Sequence, residues 1–212
     1  ALLTVDFSYP QKLQESHFWR KGLSIPAMRV LKWLVERLGR PRAALVIIPV
    51  ALLLALPSIF SPFFIDEHMQ ASKWKAWQHG TTASSRHILN DYFVFIGPQE
   101  RQHEMECLGG WWMAPDLKVA FWRPLAAATH VADHILWPGN LALIHLHTLL
   151  WLAALLIALH HLLRRFLPLV IANLALALYA WDDARGMVLS WIANRHALIA
   201  GCLGLCVLIT HD

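Results

Sequence analysis

A long apolar segment, residues 43–65, constrains this chain more than any other feature of its sequence. At about 1.5 Å per residue, a helix of this length covers roughly 34 Å, enough to cross the hydrocarbon core of a bilayer. The whole sequence agrees, since it is 57% hydrophobic and only 15% charged, with a mean hydropathy of +0.45. These proportions indicate an integral membrane protein.

Basic side chains are concentrated before this first apolar segment. They are Arg20, Lys21, Arg29, Lys32, Arg37, Arg40 and Arg42. Because lysine and arginine mark the cytoplasmic side of a membrane helix, we predict a plasma (inner) membrane protein with a cytoplasmic N-terminus. A basic patch can also bind nucleic acid. The membrane context and the small net charge of +4 argue against that alternative, so we expect no nucleic-acid partner.

Residues 26–40 predict a basic amphipathic helix, which Pro26 is suited to open and Gly39 to close. Such a helix beside a span lies on the inner leaflet, the alternative being a helix packed within the cytoplasmic segment. We therefore divide the chain into a cytoplasmic segment, residues 1–42, and a membrane domain, residues 43–212.

Four apolar segments predict the spans of an all-α integral membrane protein. They cover about residues 43–65, 141–163, 166–181 and 187–209. Prolines 49, 57 and 62 predict kinks in the first span, especially near its outer end. Tryptophans in the large outer loop, residues 66–140, predict amphipathic interfacial helices at about 67–79 and 124–136, because tryptophan prefers the bilayer interface.

Four motifs occur in a recognisable order. They are FIDE at 64–67, WRPLAAATHVADHILWPG at 122–139, NLALIHLHTLL at 140–150 and SWIANRHALIAG at 190–201. In this order they resemble the membrane glycosyltransferases of superfamily C, especially the protein O-mannosyltransferase-like group with transmembrane and tetratricopeptide regions. Members of that group have many more spans than four, so the resemblance implies a partial or diverged N-terminal portion of such a protein.

The resemblance implies transfer of a sugar from a polyprenyl-phosphate donor on the outer membrane face, with Asp66 as catalytic base and Glu67 as its helper. The residues themselves suit these roles. A carboxylate at the membrane rim has its pKa raised by desolvation, which favours general-base chemistry. Arg195, about eight residues into the last apolar helix, and Arg123 are candidates for binding the donor phosphate, since arginine binds phosphate with two parallel hydrogen bonds.

Three further side chains are candidate contacts for substrate or a divalent metal: Asp182, Asp183 and His147. The alternative for the two aspartates is a solvated turn between spans. His103, Glu104 and Glu106 form a second, weak metal signal. The sequence thus leaves the identity of any cofactor undetermined, with a divalent metal as one candidate. The spacing of the 13 histidines offers no clear pair for haem or pigment, so we disfavour a cofactor-binding electron-transfer subunit.

Departures from the family pattern leave a second function open. Relatives carry His-Pro and a glutamate where this chain has Asp182-Asp183 and Met187. They also carry a histidine and an asparagine early in the second span, where only His147 matches. The alternative is therefore a non-catalytic structural subunit that contacts membrane lipid and other membrane subunits of a larger complex.

Overall fold

Helices form most of the structure, a computed structural model that describes residues 25–80, 88–97, 114 and 116–211. In this part of the chain, the α-helices are α1 Ile25–Leu38, α2 Ala44–Ala55, α3 Ile65–Gln78, α4 Ile88–Asp91, α5 Pro124–Leu136, α6 Leu141–Phe166, α7 Leu169–Ala180, α8 Gly186–Ser190 and α9 Arg195–Thr210. The 3₁₀ turns are Leu56–Phe60, Asp183–Arg185 and Ile192–Asn194. Two short antiparallel strands, β1 Val94–Ile96 and β2 Val119–Ala120, also occur. The predicted mainly helical class is confirmed.

Two helical segments are long and apolar enough to cross a membrane: α6, with 26 residues, and the 19-residue stretch Ile192–Thr210. The number of candidate spans rises to three if Ala44–Phe60 and α3 are counted together as one broken span. The segment predicted as the span 166–181 forms α7, whose 12 residues extend about 18 Å, less than the hydrocarbon thickness. The described chain therefore has two or three helices of membrane-spanning character.

The helix of the first apolar segment is interrupted in the region of Pro57 and Pro62. Pro49 lies inside α2, but α2 ends at Ala55, and Pro57 lies in the 3₁₀ turn that follows. After residues 61–64, which include Pro62, the chain enters α3 at 68° to the preceding helix. Proline lacks the backbone donor that a continuous helix needs, which accounts for the predicted kink. Asp66 and Glu67 consequently belong to the first turn of α3.

Helix α6 is the centre of the bundle and packs against α2, α7 and α9. Its side chains Leu152 and Leu156 are buried against the neighbouring helices. The outward-facing side chains are also apolar, for example Leu150, which is 61% exposed, and Leu178, which is 68% exposed. Helices that are apolar on every face are typical of a membrane environment.

The helix predicted for residues 26–40 corresponds to α1, and a polar contact holds its end against α7. Asn173 is fully buried in the middle of α7. Its side-chain amide donates to the carbonyl oxygen of Leu38 at 2.7 Å and to that of Arg40 at 3.4 Å. The Leu38 carbonyl lies at the end of α1 and has no partner within the helix, whereas the Arg40 carbonyl lies beyond the helix and also accepts from the amide of Ala43 at 3.0 Å. Asn173 therefore satisfies the C-terminus of α1.

The two helices predicted within residues 66–140 lie close to their predicted sequence positions. Helix α5 has the predicted bounds, 124–136, with Pro124 in its first turn, while α3 replaces the predicted 67–79. A second apolar cluster joins α5 to the strand region and to α9. Its buried members are Tyr92, Phe93, Ala126, Ala127 and Ile199.

The continuous helix predicted for residues 187–209 was wrong. Trp191 adopts an extended conformation, with φ −98° and ψ 96°, between α8 and the 3₁₀ turn Ile192–Asn194. The amide of Ala193 donates to the side chain of Glu67 at 2.9 Å, a bond that replaces one within a helix. Arg195 therefore stands in the first turn of α9, not eight residues inside an apolar helix.

Candidate functional site

Arg195 is the largest fully buried side chain of the described part of the chain. Its guanidinium donates to the carboxylate of Asp133, to the Thr148 hydroxyl at 3.0 Å and to the Ile144 carbonyl at 2.9 Å. Asp133 is itself only 1% exposed. Because Asp133 lies in α5 and the other two partners lie in α6, Arg195 connects α9 to both helices.

His147, a predicted substrate contact, belongs to the same network. Its Nδ1 atom lies 2.5 Å from Asp133 Oδ1, and the Trp151 indole donates to its Nε2 atom at 3.2 Å. An indole nitrogen can only donate, so Nε2 accepts. The proton of a neutral ring must then be on Nδ1, from which it is donated to Asp133. This assignment gives the Asp133 carboxylate donors on both of its oxygens.

Sequence reasoning missed Asp133, although the residue lies within one of the motifs. The available signal was its place on α5. Asp133 follows Ala126 by seven positions and His130 by three, and such spacing puts all three on one helical face. That face is buried in the structure. A carboxylate on the buried face of an interfacial helix predicts a cationic partner, here Arg195.

Glu67 is buried and holds two segments together. Its carboxylate accepts from the backbone amides of Phe64 at 2.6 Å and Ala193 at 2.9 Å. Burial raises the pKa of Glu67, and the two hydrogen bonds oppose that rise. Glu67 thus fixes the start of α3 against the 3₁₀ turn that precedes Arg195.

Asp66 and Arg123 line one cavity of about 210 Å³, which we call the Asp66 cavity. Its remaining lining is mainly aromatic and includes Phe93, Phe95, Phe121, Trp191, Ala193, Asn194 and His196. Burial raises the pKa of Asp66, while the positive charge of Arg123 acts in the opposite direction. The structure therefore brings together a carboxyl group and a cation that stand 57 positions apart in the sequence.

The Arg123 side chain is held mostly by aromatic rings. Its guanidinium carbon lies 4.4 Å from the ring centre of Phe121 and 5.3 Å from that of Phe93. These are cation–π distances. Its NH1 atom also lies 3.2 Å from Nδ1 of His196, which in turn lies 3.0 Å from the carbonyl oxygen of Ala193. Since Nδ1 cannot accept from Arg123 and donate to Ala193 at once, only one of these two contacts is a hydrogen bond in a given tautomer of His196.

The other predicted site residues lie apart from this cavity. Asp182 and Asp183 are exposed, and Asp182 accepts from the amide of Ala184 at 3.0 Å, as in a solvated turn. In the ranges that the structure describes, no group of three or more His, Cys, Asp or Glu side chains is arranged to hold a metal ion. His103, Glu104 and Glu106 lie outside those ranges.

A cluster of polar side chains next to Glu67 consists of Tyr92, His130 and His134. Tyr92 donates to or accepts from Nε2 of His134 at 3.0 Å, and its ring stacks on His130 at 5.4 Å. Burial lowers the pKa of His130 well below its usual value and raises that of Tyr92. Both side chains are therefore neutral near pH 7.

No protein-family model, curated protein or solved structure matches this chain.

Proposed function

We propose that this protein is a membrane glycosyltransferase that takes its sugar from a polyprenyl-phosphate donor at the outer face of the plasma membrane. The proposal includes a four-span topology with both α3 and α5 at the outer surface. The observation that carries it is the Asp66 cavity, in which a carboxyl group and an arginine face the same space. A base beside a phosphate-binding cation is what this transfer needs.

In the proposed reaction, the acceptor hydroxyl oxygen attacks the anomeric carbon of the donor sugar. The bond between that carbon and the phosphate oxygen breaks, and polyprenyl phosphate leaves with the bonding electrons. Asp66 takes the proton of the hydroxyl group. Its pKa is raised by burial, which makes the carboxylate a stronger base than an ordinary aspartate.

Arg123 is the better of the two candidate phosphate ligands. It lines the cavity and is held by aromatic rings. Arg195, the other candidate, already donates to Asp133, Thr148 and the Ile144 carbonyl. We therefore assign the donor phosphate to Arg123 and give Arg195 a supporting role, in which it holds α9 against α5.

The test uses the full chain in lipid nanodiscs with a radiolabelled sugar on polyprenyl phosphate and a panel of hydroxyl acceptors. Asp66→Asn should lower turnover by about 10²–10⁴-fold, the usual contribution of a general base. Arg123→Gln should raise the KM for the donor. The matched control is Asp116→Asn, an exposed aspartate outside the cavity. Unchanged turnover in Asp66→Asn contradicts the role of Asp66.

A non-catalytic subunit is the second candidate, and the exposed apolar surface of α1 favours it. Val30 is 57% exposed, Trp33 53% and Leu31 52%. Exposed apolar patches of this kind mark contacts with a membrane or with another protein. Purification of the native protein in a mild detergent distinguishes the two functions. Stoichiometric comigration with other subunits, without sugar transfer by the complex, supports the subunit.

A further inference from the structure

A second cavity, of about 420 Å³, lies beside α3 and is distinct from the Asp66 cavity. Lys75 lines it and follows Asp66 by nine positions. At about 100° per residue, nine positions place the two side chains on opposite sides of a helix. We call this space the Lys75 cavity. Its volume lies in the range of about 300–1,000 Å³ that is typical of small-molecule sites.

The two walls of the Lys75 cavity come from different parts of the chain. One wall is α3, with Ala71 and Trp74, and the other is the connection between α5 and α6. Gly139 in that connection has a φ of +75°, a conformation that side-chain-bearing residues rarely adopt. The turn at Gly139 therefore sets the course of the wall between α5 and α6.

Part of the lining of the cavity is apolar and comes from the start of α6. Leu141 and Ile144, from the first turn of the membrane helix α6, line the cavity. The side chains that flank its walls in sequence are apolar and largely exposed, with Ile65 at 67% and Leu136 at 63%. The cavity therefore offers apolar contacts to a hydrocarbon chain at the start of a helix long and apolar enough to span a membrane.

The charge of the lining is one-sided. Lys75, in the last turn of α3, is exposed at the rim, and none of the residues that line the cavity is acidic. Gln78 and His134 provide further polar groups. A lysine beside an apolar space matches a molecule with an anionic head and a hydrocarbon tail, because its ammonium group binds phosphate as a point charge.

We propose that the Lys75 cavity binds one anionic phospholipid of the surrounding membrane, with its phosphate at Lys75 and part of one acyl chain between α3 and the α5–α6 connection. This site is separate from the proposed transfer reaction and does not depend on it. A bound lipid there would hold α3 and α5 together on the side away from Asp66.

The test uses the full chain in nanodiscs that contain phosphatidylglycerol with a photoactivatable acyl chain, and the crosslinked peptides are identified by mass spectrometry. Wild type should crosslink within 71–78 and 138–144. Lys75→Glu should lower this labelling at least about fivefold, since one lysine near an anionic lipid surface contributes about that factor. Lys118→Glu, the same charge reversal at an exposed lysine outside the lining, is the matched control.

Two further arms decide between explanations. Ala71→Trp, which fills the cavity, should abolish the labelling, and circular dichroism checks that the variant is folded. A phosphatidylcholine probe should label the same peptides weakly. Equal labelling by both lipids, unchanged labelling in Lys75→Glu, or displacement of the lipid by glycerol phosphate alone overturns the assignment. Asp66→Asn should label like wild type, which separates this result from that of the transfer assay.

Discussion

Arg195 and Asp133 form a buried ion pair between α9 and α5. Residues close to this pair in the chain line the Asp66 cavity. Arg123, on one wall, immediately precedes α5, while Asn194 and His196, on another wall, flank Arg195 itself. A shift of α5 relative to α9 would therefore change the distance between the arginine that faces the cavity and the rest of its lining.

Asp133→Ala should lower the free energy of unfolding by about 3–5 kcal/mol, because it leaves the guanidinium of Arg195 buried without its counter-charge. Reversible unfolding in mixed detergent micelles, followed by tryptophan fluorescence, measures the loss. Asp116→Ala, which removes an exposed carboxylate, should change stability by less than about 0.5 kcal/mol. A loss as small as this control in Asp133→Ala would show that the pair is not needed for folding.

Arg123→Gln should shift the titration of Asp66 to higher pH. Burial already raises the pKa of this carboxyl group, and the charge of Arg123 limits the rise. Removal of that charge leaves the desolvation unopposed, so the neutral acid persists to higher pH. The infrared carbonyl band that disappears in Asp66→Asn reports the titration directly. Lys118→Gln is the control, and a midpoint that stays constant or falls contradicts the coupling.

Glu67→Gln should remove part of the pH dependence of stability. The folded-state pKa of Glu67 is raised above its ordinary value of 4.5, mainly by burial. The folded protein therefore holds this proton more tightly than the unfolded chain does. The stability from this group is present below pH 4.5 and is lost as the pH rises through the folded-state pKa. As the pH rises through that window, the unfolding free energy of wild type should therefore fall relative to that of the variant. A constant difference between the two argues against the raised pKa.

Local sequence signals predicted the bounds of α3 and α5 well. Pro124 is favoured in the first turn of a helix, and Pro138 and Gly139 cannot easily continue one, so the bounds of α5 were readable. The kink after α2 was readable for the same reason, because Pro57 and Pro62 lack a backbone donor. Each of these features depends on residues a few positions apart.

Features that depend on distant residues could not be read in this way. The apolar pattern of residues 187–209 predicted one helix, but Glu67 takes the amide of Ala193 from 126 positions away and the helix begins only at Arg195. Because residues 187–209 do not form one helix, the prediction that Arg195 lies deep inside an apolar helix was also wrong. Its pairing with Asp133 depends on how α5 packs against α9, which hydrophobic periodicity does not specify.

Asn173→Leu should loosen the connection between α1 and α2. The substitution leaves the carbonyl groups of Leu38 and Arg40 without their side-chain donor. The expected cost is about 0.5–1.5 kcal/mol, the usual net contribution of one hydrogen bond, because the Arg40 carbonyl still accepts from the amide of Ala43 at 3.0 Å. Limited trypsin digestion in detergent should cut after Arg42 faster than in wild type. Asn90→Leu, at an exposed position outside this contact, is the control, and equal cleavage rates in all three proteins would exclude the proposed anchoring.

Gly201→Leu should weaken the packing of α9 on α6, whereas Gly204→Leu should not. A β-carbon added at Gly201 would lie 3.1 Å from Cδ1 of Leu155, while one added at Gly204 meets nothing within 4 Å. The leucine side chain at position 201 must therefore displace Leu155, at a cost of about 1–3 kcal/mol for overpacking. The two variants add the same side chain to the same helix, so the change in helix propensity is similar in both. Unfolding in mixed micelles measures both, and equal stabilities would mean that α6 and α9 do not pack closely at Gly201.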